Sequence, residues 1–131
     1  ALHLSYLKRR YRLARYSVSL PRLRPAVGGY NPACPIDDKG MLQLILAFRL
    51  LDQHLDISLS TRESEAFRNH VLTLGVTSMS AGSHTEPGGY AEQHEELEQF
   101  TINDARSPEE FAQYLQSVGY EPVWKDWDSW L

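Results

Sequence analysis

Three residues of one short stretch, Ser58, Ser60 and Arg62, have the types and spacing of a ligand-binding wall. They recur at every second position between Asp56 and Ser64, so in a β-strand they share one face. The other face would pack against a helix and carries Ile57, Leu59 and Thr61. Hydroxyl groups offer hydrogen bonds, and the planar guanidinium of an arginine suits a carboxylate or a phosphate. The stretch therefore predicts a strand whose polar face binds an anionic ligand.

Two other stretches alternate in the same way, and their small polar residues are again serines. These residues are Ser17 and Ser19 in the first stretch and Ser78 and Ser80 in the second. In a packed parallel sheet, both faces of the central strands carry branched apolar residues. Serines leave space and supply hydrogen-bonding groups, so the pattern favours a ligand cavity. The alternative is that the serines bond to one another or to the backbone.

Helical patterns separate these strands. The predicted order is a helix over 1–12, a strand over 16–20, a helix over 37–53, a strand from 56, a helix over 65–74, a strand over 76–81 and a helix that starts at Ser107. Strands that are joined by helices pair in parallel. The sequence therefore predicts an α/β fold.

The carboxyl ends of parallel strands meet at one edge of the sheet, where ligands bind. The residues predicted to converge there are Arg22, Arg24, Arg62, Glu63 and His84. Arg62 would either hold a ligand or form a salt bridge with Glu63 or Glu65. Arg22 and Arg24 would serve a ligand or pair with Asp37 and Asp38, and the sequence leaves both alternatives open.

The composition excludes several classes of protein. The chain has 131 residues, 42% of them hydrophobic, which suits one domain. Its single cysteine, Cys34, cannot by itself hold zinc or an iron–sulfur cluster, so no metal site is expected within the chain. The longest apolar run, residues 41–51, is too short to cross a bilayer, and no signal peptide opens the chain. We expect a cytoplasmic location.

The net charge of -4 hides an uneven distribution of charge. The first acidic residue is Asp37, and seven arginines and lysines precede it, so the start of the chain is basic. Tyr6, Leu7, Tyr11 and Leu13 are interleaved with these charges, as in a helix with one apolar face. No helix-turn-helix, zinc or RNA-binding signature accompanies them. A solvated helix is thus favoured over binding of nucleic acid.

Four segments, in their order along the chain, carry a resemblance to a known family. The segments are Ser19–Pro25, Leu59–Ser64, Ser80–Ser83 with Pro87–Tyr90, and Pro122–Asp128. Together they resemble the C-terminal section of the 2-iminoacetate synthase family, the radical S-adenosylmethionine tyrosine lyases of thiamine biosynthesis. The section is similar to the biotin and thiamine synthesis associated region that completes the barrel in that family.

The resemblance implies that residues 1–131 are a single section of a longer enzyme. It would comprise the last three β/α units of a parallel (β/α)8 TIM-like barrel, followed by a C-terminal helix and tail. The family uses S-adenosylmethionine and a [4Fe-4S] cluster to break the Cα–Cβ bond of tyrosine, which yields 2-iminoacetate (dehydroglycine) and p-cresol. The 2-iminoacetate supplies the thiazole ring of thiamine.

The resemblance also implies roles for individual residues. Ser60 and Arg62 would hold the carboxylate of the substrate tyrosine, and Arg22 would lie near S-adenosylmethionine. The expected protein partner is the thiazole synthase that receives the unstable imine. A related hydrogenase-maturation enzyme carries extra C-terminal cysteines, and this tail has none, which favours the thiamine enzyme.

One family feature is absent from these 131 residues, namely the Cys-x3-Cys-x2-Cys motif that binds the cluster. This motif belongs to the N-terminal part of the barrel, so we expect the chain alone to be inactive. Its outer strands would lack neighbours, and exposed strand edges favour self-association.

Two alternatives from other classes remain. The chain could be part of another barrel enzyme, in which Arg22, Arg24 and Arg62 bind a phosphorylated ligand. It could instead be a partner-docking module that uses the basic arm or the tryptophan-rich tail.

Overall fold

The computed structural model describes residues 1–23, 33–84 and 102–124. The elements are α1 (Leu2–Arg10), β1 (Ser17–Ser19), α2 (Asp38–Leu51), β2 (Asp56–Leu59), α3 (Glu65–Val71), β3 (Ser78–Met79) and α4 (Pro108–Ser117). Their order is the predicted one. Arg24, the Pro87–Tyr90 segment and the tail after Trp124 lie outside the described residues.

The three strands form one parallel sheet in the order β1-β2-β3. Val18 is opposite Ile57, and Leu59 is opposite Met79. The predicted α/β class and the parallel pairing are therefore confirmed. The helices that follow β1 and β2 make this pairing possible, because each returns the chain to the start of the next strand.

Local capping signals determine where three of the helices begin. The Asp37 side chain accepts a hydrogen bond of 2.7 Å from the Gly40 amide at the start of α2. Ser64 caps α3 by accepting from Phe67 N at 3.3 Å. Ser107 and Glu110 form a reciprocal capping box at the start of α4, with bonds of 3.1 and 2.8 Å. These caps satisfy amide groups that the first turn of a helix leaves without partners.

The predicted end of the third helix was wrong. The pattern favoured a helix to Leu74 with Gly75 as its cap, but α3 ends at Val71. The Leu74 amide turns back onto Val71 O at 2.9 Å, and Gly75 has a φ of 109°. Arg49 of α2 donates to Gly75 O at 2.6 Å, so a tertiary contact holds the turn that ends the helix early.

The hydrophobic core lies between one face of the sheet and the helices. Its buried residues are Leu4, Met41, Ile45, Leu55, Ile57, Leu59, Phe67 and Val71. The predicted packing face of the opening stretch is confirmed, because Ile57, Leu59 and Thr61 are all buried. No helix in the described part of the chain is long and apolar enough to cross a membrane.

Candidate functional site at the carboxyl ends of the strands

The serines lie on the face of the sheet opposite the core. The register places Ser19 beside Ser58 and Ser58 beside Ser78, so three hydroxyl residues form one row across the strands. The serines on or next to the outer strands are exposed, whereas Ser58 on β2 and Ser60 just after it are partly buried. The predicted polar face therefore exists.

A groove of about 800 Å³ lies beside β3 and reaches this serine face. Ser58, Ser78 and Ser80 contribute polar groups to it, while Phe111 and Leu115 of α4 supply part of an apolar wall. Ser60 and Arg62 are not among its described lining residues. The groove thus reaches the carboxyl end of β3, but its described lining does not include the turn after β2.

The predicted strand was too long, because β2 ends at Leu59, and Ser60 and Arg62 lie in the turn that follows it. The Ser60 hydroxyl accepts a long hydrogen bond of 3.4 Å from the Arg62 amide, and Ser60 O accepts one of 3.3 Å from Glu63 N. Both Ser60 and Arg62 are partly buried. The structure therefore brings the two predicted substrate residues together in one tight turn.

Arg22, just after β1, forms an ionic cluster with the buried Glu63 and the exposed Asp38. Its Nε donates to Glu63 Oε1 at 3.0 Å, Nη2 donates to Glu63 Oε2, and Nη1 donates to Asp38 Oδ1 at 2.7 Å. The guanidinium carbon also lies 4.9 Å from the centre of the Phe67 ring. Hydrogen bonding to Glu63 raises the pKa of Arg22, although burial opposes that shift.

This cluster decides part of what the sequence left open. Arg22 pairs with Asp38, as one alternative held, while Asp37 caps α2. The main partner of Arg22 is Glu63, which the sequence pattern suggests only as a salt-bridge partner for Arg62. The pairing was not visible in the sequence because 41 positions separate the two residues.

A second ionic cluster was missed altogether. It consists of Arg68 on α3 with Asp104 and Arg106, which precede α4. Arg68 Nη1 donates to Asp104 Oδ2, and Arg106 donates from Nε and Nη2 to Asp104 at 2.9 and 2.6 Å. Both guanidinium carbons lie 4.8 Å from the Phe111 ring centre. The one local signal was an aspartate three positions before the capping Ser107, and its burial is seen in the structure alone.

Burial and the contacts within this second cluster shift the pKa values of its members. Burial acts to raise the pKa of Asp104, but the hydrogen bonds from Arg106 and the charge of Arg68 outweigh it, so the pKa lies below its usual range. Burial lowers the pKa of Arg68, and hydrogen bonding to Asp104 raises that of Arg106. Asp104 is therefore an anion that its two arginines stabilise.

Metal ligands do not gather in the described residues. They contain no group of three or more histidine, cysteine, aspartate or glutamate side chains that could hold a metal ion. Cys34 is exposed, and His84 is exposed in the segment that follows β3.

Comparisons with known proteins found one matching domain family and relatives that match over the whole chain. The profile of the Biotin and Thiamin Synthesis associated domain matches residues 19–121. The 2-iminoacetate synthase of Salmonella typhimurium strain LT2 is 55% identical over 131 residues, which is 100% of this chain and 35% of that protein. The chain thus spans about a third of the length of the curated relatives it matches.

Two solved structures share the fold. The FeFe-hydrogenase maturase HydG from Carboxydothermus hydrogenoformans is 33% identical, with a TM-score of 0.76 over 90% of this chain and 27% of its own. A second structure of HydG, a maturase of the [FeFe]-hydrogenase, is 35% identical, with a TM-score of 0.84 over 95% of this chain and 27% of its own.

Proposed function

This chain belongs to the Biotin and Thiamin Synthesis associated domain family, and we propose that it is the carboxy-terminal part of a 2-iminoacetate synthase. The observation that carries the proposal is the 55% identity to such an enzyme over the whole chain. The complete enzyme would be a tyrosine lyase of thiamine biosynthesis, which breaks the Cα–Cβ bond of tyrosine and yields 2-iminoacetate and p-cresol. The chain alone would be inactive.

In this proposal Ser60 and Arg62 hold the carboxylate of tyrosine. Their support is their place in one turn at the carboxyl end of the central strand, where parallel folds bind ligands. A guanidinium matches a carboxylate in both charge and geometry, and the hydroxyl adds a hydrogen-bonding group. Partial burial strengthens such an interaction because less water competes for the two charges.

We propose that Arg22 lies on the S-adenosylmethionine side of the site. Its support is its position at the tip of the neighbouring strand β1. The guanidinium is already bonded to Glu63 and Asp38, so Arg22 would act on a ligand mainly by holding these carboxylates in place. Asp38 is the member of this cluster that reaches solvent, with a side chain that is 67% exposed.

The complete enzyme would use S-adenosylmethionine and a [4Fe-4S] cluster, which supply the radical chemistry of the reaction. A cluster of this kind needs three or four thiolates, and the chain has one cysteine. The residues present do not fit the cluster, so its ligands would lie outside these 131 residues. The contribution of this chain is to bind and orient the amino acid.

The architecture supports a place at the end of a larger barrel. Among the described residues, β1 and β3 each pair with β2 alone. We propose that these are the last three β/α units of a (β/α)8 barrel in a cytoplasmic enzyme, whose thiazole synthase partner receives the imine. Without the other strands, the exposed edges would promote self-association. Sedimentation that shows only monomer over a wide concentration range contradicts this last point.

The test uses a fusion in which this chain replaces the matching third of the Salmonella enzyme. We expect Arg62→Ala to raise the KM for tyrosine about ten- to a hundredfold, since a charged hydrogen-bonded pair contributes about 1.5–3 kcal/mol. The binding of S-adenosylmethionine should stay unchanged. Formation of p-cresol and calorimetry with each ligand measure the two effects.

The matched control is Arg12→Ala, because Arg12 is an exposed arginine before β1, away from the strand tips. It should leave both measurements unchanged. Loss of S-adenosylmethionine binding in Arg62→Ala, with tyrosine binding intact, would show that the assigned role is wrong. Tight binding of a sugar phosphate by the unaltered fusion would favour the phosphorylated-ligand alternative.

A further inference from the structure

We infer that Asn103 and Asp104 are positioning residues for Arg62. Both belong to the segment Asn103–Arg106, here called the brace, which is hydrogen-bonded to the backbone of the turn after β2. This inference rests on the proposed function of Arg62 and adds to it two residues that lie more than 40 positions further along the chain. Neither residue needs to touch the substrate.

The brace donates hydrogen bonds to two backbone oxygens of the turn. Thr61 O accepts hydrogen bonds from the amides of Asn103 and Asp104, at 2.9 and 3.1 Å. Arg62 O accepts from Asn103 Nδ2 at 2.7 Å. Both carbonyl groups that flank the Arg62 amide nitrogen and Cα are thus held, which restricts the backbone torsion angles that aim this side chain.

The carboxylate of Asp104 holds the brace itself in place. Its side chain is 0% exposed and is bound by Arg68 from α3 and by Arg106 from the brace. Its Oδ1 also accepts from the Arg106 amide at 3.2 Å, which closes a tight turn. A buried carboxylate with several donors is rigid, because each bond that it loses leaves a buried charge without compensation.

The brace and its partner Arg68 also contact the segment that follows the neighbouring strand β3. Arg68 Nη2 donates to Ser80 O just past β3, and Gly82 N donates to Arg106 O at 3.2 Å. Gly82 has a φ of 60°, and a Cβ at this position would lie 2.8 Å from Pro108 Cδ, so a larger residue would strain the backbone and displace Pro108. The brace therefore ties the tips of β2 and β3 to each other and fixes Arg62 relative to both.

Asn103 offers the sharper test because it is exposed and its removal leaves the buried cluster intact. In the fusion enzyme we expect Asn103→Ala to raise the KM for tyrosine about three- to tenfold. The kcat and the dissociation constant of S-adenosylmethionine should stay unchanged. Asp104→Asn should raise the same KM further, because it weakens the support of the whole segment.

Gln53→Ala is the matched control, since Gln53 is an exposed amide before β2 at the opposite end of the strand. It should leave the KM for tyrosine unchanged. A merely structural role for Asn103 would instead change kcat or the binding of S-adenosylmethionine together with the KM.

A double-mutant cycle separates the brace from the proposed function. If Asn103 acts through Arg62, then Asn103→Ala should have no further effect on the KM once Arg62 is alanine. An equal effect in both backgrounds, or no effect of Asn103→Ala on the KM of the unaltered enzyme, overturns the brace. If Arg62→Ala itself leaves the KM for tyrosine unchanged, the proposed function fails instead.

Discussion

The two ionic clusters on either side of the β2 tip have opposite charge balances. One arginine, Arg22, faces two carboxylates between the tips of β1 and β2. On the other side, the single carboxylate of Asp104 faces two arginines and ties β2 to β3. The turn that carries Arg62 lies between them, so both neighbours of the central strand fix its tip.

The clusters differ in whether an arginine keeps a close carboxylate partner when the main one is removed. Asp38 is 67% exposed and serves Arg22 as a second, solvated partner. Asp104 is fully buried, and the other acid near Arg106 is the exposed Glu65, at 3.5 Å. Loss of one carboxylate should therefore be tolerated better in the Arg22 cluster than in the Asp104 cluster.

The largest expected effect is that of Asp104→Ala. The change would leave the buried Arg68 and the partly buried Arg106 without their shared carboxylate, and breaking a buried ion pair costs about 3–5 kcal/mol. Amide hydrogen exchange of the fusion, followed in peptides over residues 56–68 and 102–111, measures the local opening free energy. Unchanged protection of both peptides would mean that Asp104 does not hold the two tips together.

A smaller effect is expected for Glu63→Ala. Arg22 would keep its bond to Asp38, so we expect a loss of about 2–3 kcal/mol, near the cost of one unpaired buried group. The same exchange experiment should show the loss over β1 and β2 rather than over the 102–111 peptide. A loss greater than that of Asp104→Ala would reverse the ranking of the two clusters.

The smallest expected effect concerns pH. The pKa of Asp104 in the folded state lies below its unfolded value, so its stabilisation is present above the unfolded pKa, about 4, and is lost as the pH falls through the folded value. Exchange protection of the 102–111 peptide, corrected for the intrinsic pH dependence of exchange, should therefore fall in acid. Asp104→Asn should remove that acid dependence.

The matched control for this experiment is Asp52→Asn. Hydrogen bonding to Lys8 also lowers the pKa of Asp52, but this pair lies before β2 and Lys8 is half-exposed. Its removal should cost at most about 1 kcal/mol and leave the acid response of the 102–111 peptide in place. If Asp52→Asn abolished that response, the response would come from Asp52 and not from Asp104.

Much of the fold could be predicted because its signals are local. Ser64 and Ser107 each cap a helix by accepting a hydrogen bond from the amide three positions later, so these helix starts depend on nearby residues alone. The alternation of Ile57 and Leu59 with serines predicted both faces of β2. The end of α3 was predicted wrongly, and the turn that follows it bonds to Arg49 of another helix, a contact that no local pattern shows.

The sequence by itself determined the order of the elements, the parallel sheet and its serine face. Only the tertiary structure decided which charges meet. Glu63 finds Arg22 across 41 positions, and Asp104 finds Arg68 across 36. Such pairings depend on where the folded chain brings its strand tips together, and burial then makes each charge require the partner that geometry supplies.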